Sequence, residues 1–261
     1  MKHVVITGST RGIGLGLAKE FLEAGCKVTI NGQTELSVQS ALDSLKECYS
    51  KQMAGFFGKV EDREEMENLW NFAVRQFGAV DIWINNAGID QERKLVWEMD
   101  KDEYEKVIKT NIIGVINGSS VAFKHMIQQG KGQIFNMEGF GSNGMMREKM
   151  TIYGTSKSAV SYFTRSLAIE AKNTPIKVGT LSPGMVATDF LKNSIVENDD
   201  EAKRSKKIFN ILADHVEPVT QFLAHRVLEN KENNAKIEWL TKPKVIWRFI
   251  SSPFFKREIF K

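Results

Sequence analysis

The sequence predicts an α/β fold built as one single-domain, doubly wound parallel sheet with helices on both faces. Three observations predict it. Short apolar runs alternate with longer amphipathic stretches, the pattern of consecutive βαβ units. A glycine-rich loop, Thr7-Gly8-Ser9-Thr10-Arg11-Gly12-Ile13-Gly14, joins the first apolar run to the first amphipathic stretch. The 261 residues suffice to bury a large core, and no repeat or Pro/Gly/Ser linker divides them.

In order, strands are predicted at residues 3–7, 27–31, 53–57, 80–85, 133–137 and 177–181. The first helix follows the glycine loop, because Ile13, Leu17 and Phe21 recur at helical spacing and Gly25 suits its end. Further helices are predicted over 61–77, with Asp62 as cap, and over 100–129 and 153–172. Residues 1–184 are read as the core, 185–215 as a lid and 236–261 as a tail.

Charge and cysteine content exclude several classes. The chain carries 36 Lys/Arg against 32 Asp/Glu, a net of +4 that is too mild for a nucleic-acid binder. Two cysteines, Cys26 and Cys48, make no disulfide framework and favour a reducing compartment. No apolar run approaches the roughly 18 residues of a membrane span. Because the first strand begins almost at residue 1, no signal or transit peptide is expected, and the expected location is cytoplasmic. The four histidines show no ligand spacing, so no metal is expected.

Glycines between strand and helix permit a tight turn and close approach of backbone to a phosphate pair, which the helix N-terminus then attracts. In this place the loop points to a Rossmann-type nucleotide site. Further motifs follow at strand ends: Asn85-Asn86-Ala87-Gly88, Asn111, Tyr153-x3-Lys157, and Pro183-Gly184 with Thr188. Together with Thr-Gly-x3-Gly-x-Gly, this series resembles the short-chain dehydrogenase/reductase family. The resemblance covers residues 1 to about 190 and rests on five motifs in order and spacing.

The resemblance implies a nucleotide site made of Gly8, Ser9, Thr10, Arg11, Gly12, Ile13, Gly14, Gln33, Asn86, Ala87, Gly88, Pro183, Gly184 and Thr188, with Tyr153 and Lys157. An NAD site places an acid after the second strand. Here that strand runs into Asn31-Gly32-Gln33-Thr34, and Arg11 resembles the family's basic residue facing a 2′-phosphate. The expected cofactor is therefore NADP(H), although Glu35 is near, the second arginine often found at Gln33 is absent, and Lys59 replaces a frequent aspartate.

Tyr153 and Lys157 share one helical face. A free phenol titrates near pH 10, and an adjacent ammonium is expected to favour its ionised form. By resemblance Tyr153 passes a proton to the substrate oxygen, Lys157 also holds the ribose, and Asn111 holds a relay water. Relatives usually carry a serine where Gly139 stands, in Asn136-Met137-Glu138-Gly139-Phe140-Gly141-Ser142. Ser142 is the candidate surrogate, with a backbone N–H as the alternative. This departure, with Tyr-Gly-x-x-Lys, Ser-Pro-Gly-Met-Val-x-Thr and Glu238-Trp239-Leu240-Thr241-Lys242-Pro243, is similar to the chlorophyll(ide) b reductase branch.

In the lid, Met185, Val186, Phe190, Leu191, Ile208, Phe209 and Leu212, with Met145 and Met146 opposite, are expected to line an apolar pocket. The expected partner is a bulky apolar carbonyl compound reduced to its alcohol. A catalytically weak nucleotide-binding sensor or scaffold is the other reading, supported by the missing serine. A homodimer or homotetramer is expected, through a stripe of Ala159, Phe163 and Ser166-Leu167. Residues 231–261 hold eight Lys/Arg and three Asp/Glu among several aromatics. After Pro253 breaks its helix, this tail is expected to fold back as a packed lid or subunit contact, with weak peripheral membrane contact second.

Overall fold

A computed structural model of the chain describes residues 1–192, 200–255 and 257–259. Seven parallel strands form one sheet in the order β3-β2-β1-β4-β5-β6-β7. They are β1 (His3–Ile6), β2 (Lys27–Gly32), β3 (Met53–Phe57), β4 (Ile82–Asn85), β5 (Gly132–Met137), β6 (Ile176–Ser182) and β7 (Ala235–Glu238). The helices are α1 (Gly12–Glu23), α2 (Glu35–Tyr49), α3 (Arg63–Phe77), α4 (Lys101–Ile108), α5 (Gly114–Gln129), α6 (Thr151–Glu170), α7 (Asp189–Lys192), α8 (Asp200–Leu212), α9 (Val216–Glu229) and α10 (Lys242–Ser251).

The central strands are apolar without alternation because helices cover both faces. On one face Leu17 and Phe21 of α1, Ala41 and Leu45 of α2, and Val219 and Leu223 of α9 pack with Val4, Ile6 and Phe135. On the other, Leu69 and Trp70 of α3, Val121 of α5 and Ala168 of α6 pack with Val5, Trp83 and Ile134. Strand order reverses between β1 and β4, and a ligand crevice opens at such a point beyond the strand ends.

The expected helix stops and starts hold. Gly25 takes φ +76° after α1, and the Asp62 side chain accepts from the Glu64 and Glu65 N–H groups at 2.8 and 3.3 Å. The long helix predicted over 100–129 is interrupted. A π-turn, Lys109–Ile113, separates α4 from α5 and carries Asn111. The predicted strand at 80–85 begins two residues later, at Ile82. Residues 193–199, inside the expected lid, lie outside the described residues.

Candidate active site

The C-terminal end of β1 opens into the glycine loop, and the loop is tied from inside. Gly8 and Gly12 take φ +60° and +56°, a region favouring glycine. A Cβ on Gly14 would stand 2.4 Å from the Gly8 carbonyl oxygen and 2.5 Å from Asn86 Nδ2. Asn86 Nδ2 itself donates to the Thr7 and Gly8 carbonyls at 3.0 and 2.8 Å, while Thr7 Oγ1 accepts from the Asn86 and Ala87 N–H groups. Thr188 sits against Gly12, so the strand-six motif and the start of α1 face one another. Ser9 is different: its N–H donates to the Asn31 carbonyl and its hydroxyl to the Ile6 carbonyl, so it supports the loop from the interior.

One continuous cleft of about 1470 Å³ runs from this loop to an apolar end. Of the residues read as nucleotide contacts, Gly8, Thr10, Arg11, Gly12, Ile13, Gly14, Gln33, Asn86, Ala87, Gly88, Pro183, Gly184 and Thr188 line it, as do Tyr153 and Lys157. Ser9 and Ser142 do not. The apolar end carries Met145, Met146, Met185, Val186, Phe190, Leu191, Ile208 and Phe209, as expected, together with Phe140 and Met150. Leu212, also expected there, is buried at the end of α8 and does not line it.

Tyr153 and Lys157 meet in the middle. The Lys157 ammonium donates to the Met137 carbonyl at 3.1 Å and lies 5.9 Å from the Tyr153 ring centroid. A Cβ on Gly139 would stand 2.5 Å from Tyr153 Oη, so Gly139 faces the phenol oxygen. The Ser142 hydroxyl is turned away: it accepts from the Gly139 N–H at 3.1 Å and donates to the Lys157 carbonyl at 3.2 Å. Phe190 covers the phenol from the lid, with ring centroids 5.7 Å apart.

Burial sets the electrostatics. Desolvation holds the Tyr153 phenol well above its ordinary value, with Asp90 adding to the shift and Arg93 opposing it. Desolvation also lowers Lys157 to about 8, against a smaller opposite pull from Glu138. The phenol is therefore raised where the sequence predicts that the ammonium lowers it: desolvation is the largest cause at both groups, and Lys157 is not among the groups that shift Tyr153.

Asn111 acts as a clamp. Its Oδ1 accepts from the Ile89 N–H at 2.8 Å, and its Nδ2 donates to the Ile89 carbonyl and Ser156 Oγ at 2.9 and 3.0 Å. Both ends of the amide are committed, so its side chain fixes the loop after β4 against α6. Gln91 was not singled out by the sequence. Its Oε1 accepts from the Tyr153 N–H at 2.7 Å and its Nε2 donates to the Lys149 carbonyl at 3.0 Å, supplying from another loop the cap that Met150 cannot. A glutamine in a polar loop carries no pattern that marks such a role. Among the described residues, no three His, Cys, Asp or Glu side chains gather as a metal site.

A phosphate cradle joined to a buried phenol–ammonium pair in one cleft defines a nicotinamide-dependent oxidoreductase site. The residues fit the cofactor: the loop leaves no space for side chains at Gly8 and Gly14, Gln33 stands after β2 where an acid would select NAD, and Arg11 lines the same cleft from the glycine loop. The short chain dehydrogenase family profile matches residues 2–199, and the chain belongs to that family. Its cleft brings that family's glycine loop and Tyr-x3-Lys pair together.

Among curated relatives, the probable chlorophyll(ide) b reductase NYC1 of Arabidopsis thaliana, named as chloroplastic, is 32% identical over 96% of this chain and 53% of its own length. The chloroplastic chlorophyll(ide) b reductase NOL of the same plant is 34% identical over 86% of this chain and 65% of its own. The chain therefore spans about half to two thirds of these relatives. Among solved structures, ElxO with NADP bound superposes at a TM-score of 0.79 with 26% identity, over 94% of this chain and 99% of that one.

Proposed function

We propose that the protein is an NADPH-dependent reductase that converts the aldehyde or ketone of a bulky apolar compound into an alcohol, with a formyl tetrapyrrole as the first candidate. The carrying observation is the position of Tyr153, between the glycine loop and the methionine- and phenylalanine-lined end of one cleft. The similarity to chlorophyll(ide) b reductases supports the tetrapyrrole. Held along the glycine loop, NADPH would supply the hydride for the carbonyl carbon. Tyr153 Oη gives its proton to the carbonyl oxygen, and Lys157 keeps positive charge beside the phenolate that results. Gln91 and Asn111 hold α6 and the loop after β4 in register, and Phe190 keeps water from the phenol.

The test is NADPH oxidation with a panel of aldehydes and formyl tetrapyrroles, using Tyr153→Phe as control. Turnover is expected in the wild type, and a loss of at least about 10²-fold with nucleotide binding kept in the variant. Comparable rates in both would end the mechanism. A second reading, a nucleotide-binding sensor, is favoured by Gly139 and by the committed hydroxyl of Ser142. Tight NADPH binding with no carbonyl reduced would select it.

We also propose a homodimer or homotetramer through α5 and α6. The stripe expected on α6 is only half-buried, and Tyr162 and Ile169 beside it are exposed. A monomer in light scattering at micromolar concentration would count against it. The unpaired thiols Cys26 and Cys48 support placement in a reducing compartment such as the cytoplasm.

A further inference from the structure

The tail folds back as expected but presents the opposite face. In an ordinary surface helix the apolar stripe meets the body and polar residues meet water. In α10 the stripe toward the body is Lys244, Val245, Arg248, Ser251 and Ser252, polar but for one valine. Arg248 donates to the Leu212 carbonyl at 2.7 Å and to both oxygens of Asp214 at 2.9 and 2.7 Å. Beyond the turn at Pro253, Arg257 donates to the Ile211 carbonyl and to Asp214. The outward face is Ile246, Trp247, Phe249, Ile250, Phe254 and Phe255, each between 45% and 82% exposed. Polar anchors hold the helix down and its apolar face points away from the protein.

We propose that α10 and the turn after it are a docking surface for an anionic lipid bilayer, lying in the interface. Charge selects this occupant. By sequence, residues 231–261 carry a net of +5 while residues 1–230 sum to −1, and with Arg248 and Arg257 paired inward to Asp214 the apolar face still sits within the cationic part of an otherwise near-neutral chain. Lys242 on α10 is exposed, as is Lys207 on α8, the helix on which α10 packs. Exposed cations beside an apolar face are what an anionic membrane surface attracts, each adding electrostatic attraction to the inserted aromatics. A second copy on the same face would bring two such cationic tails together, a repulsive arrangement.

The geometry also suits an interfacial element. Ten helical residues span about 15 Å, half of a hydrocarbon core, and none of the described helices is long and apolar enough to cross a membrane. Residues of α8 line the cleft, among them Ile208 and Phe209, and Ile208, Phe190 and Met146 are exposed there. Helix α10 packs on this same α8.

The test uses the full chain with vesicles of phosphatidylcholine alone or with about 30% phosphatidylglycerol. Cosedimentation is expected with the anionic vesicles only, weakened at least about fivefold by molar salt. Trp247 should shift its emission to the blue on binding, and Trp247→Phe should remove the shift. The double variant Trp247→Glu, Ile250→Glu should stay in the supernatant while keeping wild-type NADPH affinity, which shows that it is folded. No wild-type binding to either vesicle overturns the proposal. So does equal binding by the double variant, and so does a double variant that breaks an oligomer while the wild type ignores lipid.

Discussion

At the scale of single residues, the reacting pair is governed by its burial. Lys157 at about 8 is the first of the two groups to lose its proton as pH rises, since Tyr153 is held above its ordinary value. The protonated forms of both serve carbonyl reduction, so activity belongs to the acid side of that titration. We predict that kcat/KM for reduction falls as pH rises, with a midpoint near 8, because this parameter reports the free enzyme. A profile flat to pH 10 would contradict it. Gly139 gives a second prediction. Restoring the family's serine puts a Cβ 2.5 Å from Tyr153 Oη and 3.2 Å from Lys157 Cε and Cγ, and both side chains are buried. Gly139→Ser is therefore expected to lower kcat by about tenfold or more, since displacing a catalytic group by a fraction of an ångström is costly. A rise in kcat would show that Tyr153 yields and that the missing hydroxyl limits the rate.

Elements differ in how much of themselves the sequence displays. Strands β1 to β6 were legible because each is a run of apolar residues ending in a turn, and α1, α3 and α6 because their apolar positions recur. The edge strand β7 was not: Ala-Lys-Ile-Glu buries only Ile237, and its partner in β6 alone makes it a strand. The sequence marks neither α2 nor α9. In α9 burial comes from packing against α1, a long-range contact that local pattern does not contain. The glycine loop and the Tyr153–Lys157 pair were readable because their spacing is local. The cap from Gln91 joins residues 62 positions apart, which spacing cannot show. That cap carries the third prediction. Gln91→Ala leaves the Tyr153 N–H and the Lys149 carbonyl without these partners, and loss of a helix cap costs about 1 kcal/mol. A lower Tm is expected, with kcat reduced and the Kd for NADPH held within about twofold. An unchanged kcat would make the cap structural only.

At the scale of the whole molecule, Asp214 joins the lid, the last strand and the tail. Its backbone N–H donates to the Met185 carbonyl at 3.0 Å and its carbonyl accepts from the Ala187 N–H at 2.8 Å, which holds the start of the lid. Its carboxylate accepts from Trp239 Nε1 at 2.6 Å and from Arg248 and Arg257. Burial pushes this carboxyl up, but Trp239 and the two guanidinium groups outweigh it and hold it below the usual range. A depressed carboxylate stabilises the fold above its unfolded value and loses that contribution as pH falls through the folded one. The sequence predicted the helix and the turn back over the body; the ion-paired latch beneath them joins residues 34 and 43 positions apart and was not legible. Asp214→Asn removes the charge and leaves two cations facing a neutral amide, and breaking a largely buried pair in this way costs about 3 kcal/mol. Because the latch touches the lid and not the glycine loop, KM for a bulky substrate should rise several-fold while NADPH binding stays near the wild type. The acid limb of the stability curve should flatten in the variant, since the group that titrates there is gone. Thermal unfolding across acidic pH, alongside KM for substrate and Kd for NADPH, checks all three. An Asp214→Asn protein with wild-type Tm and KM would mean that the tail and lid are held by other contacts.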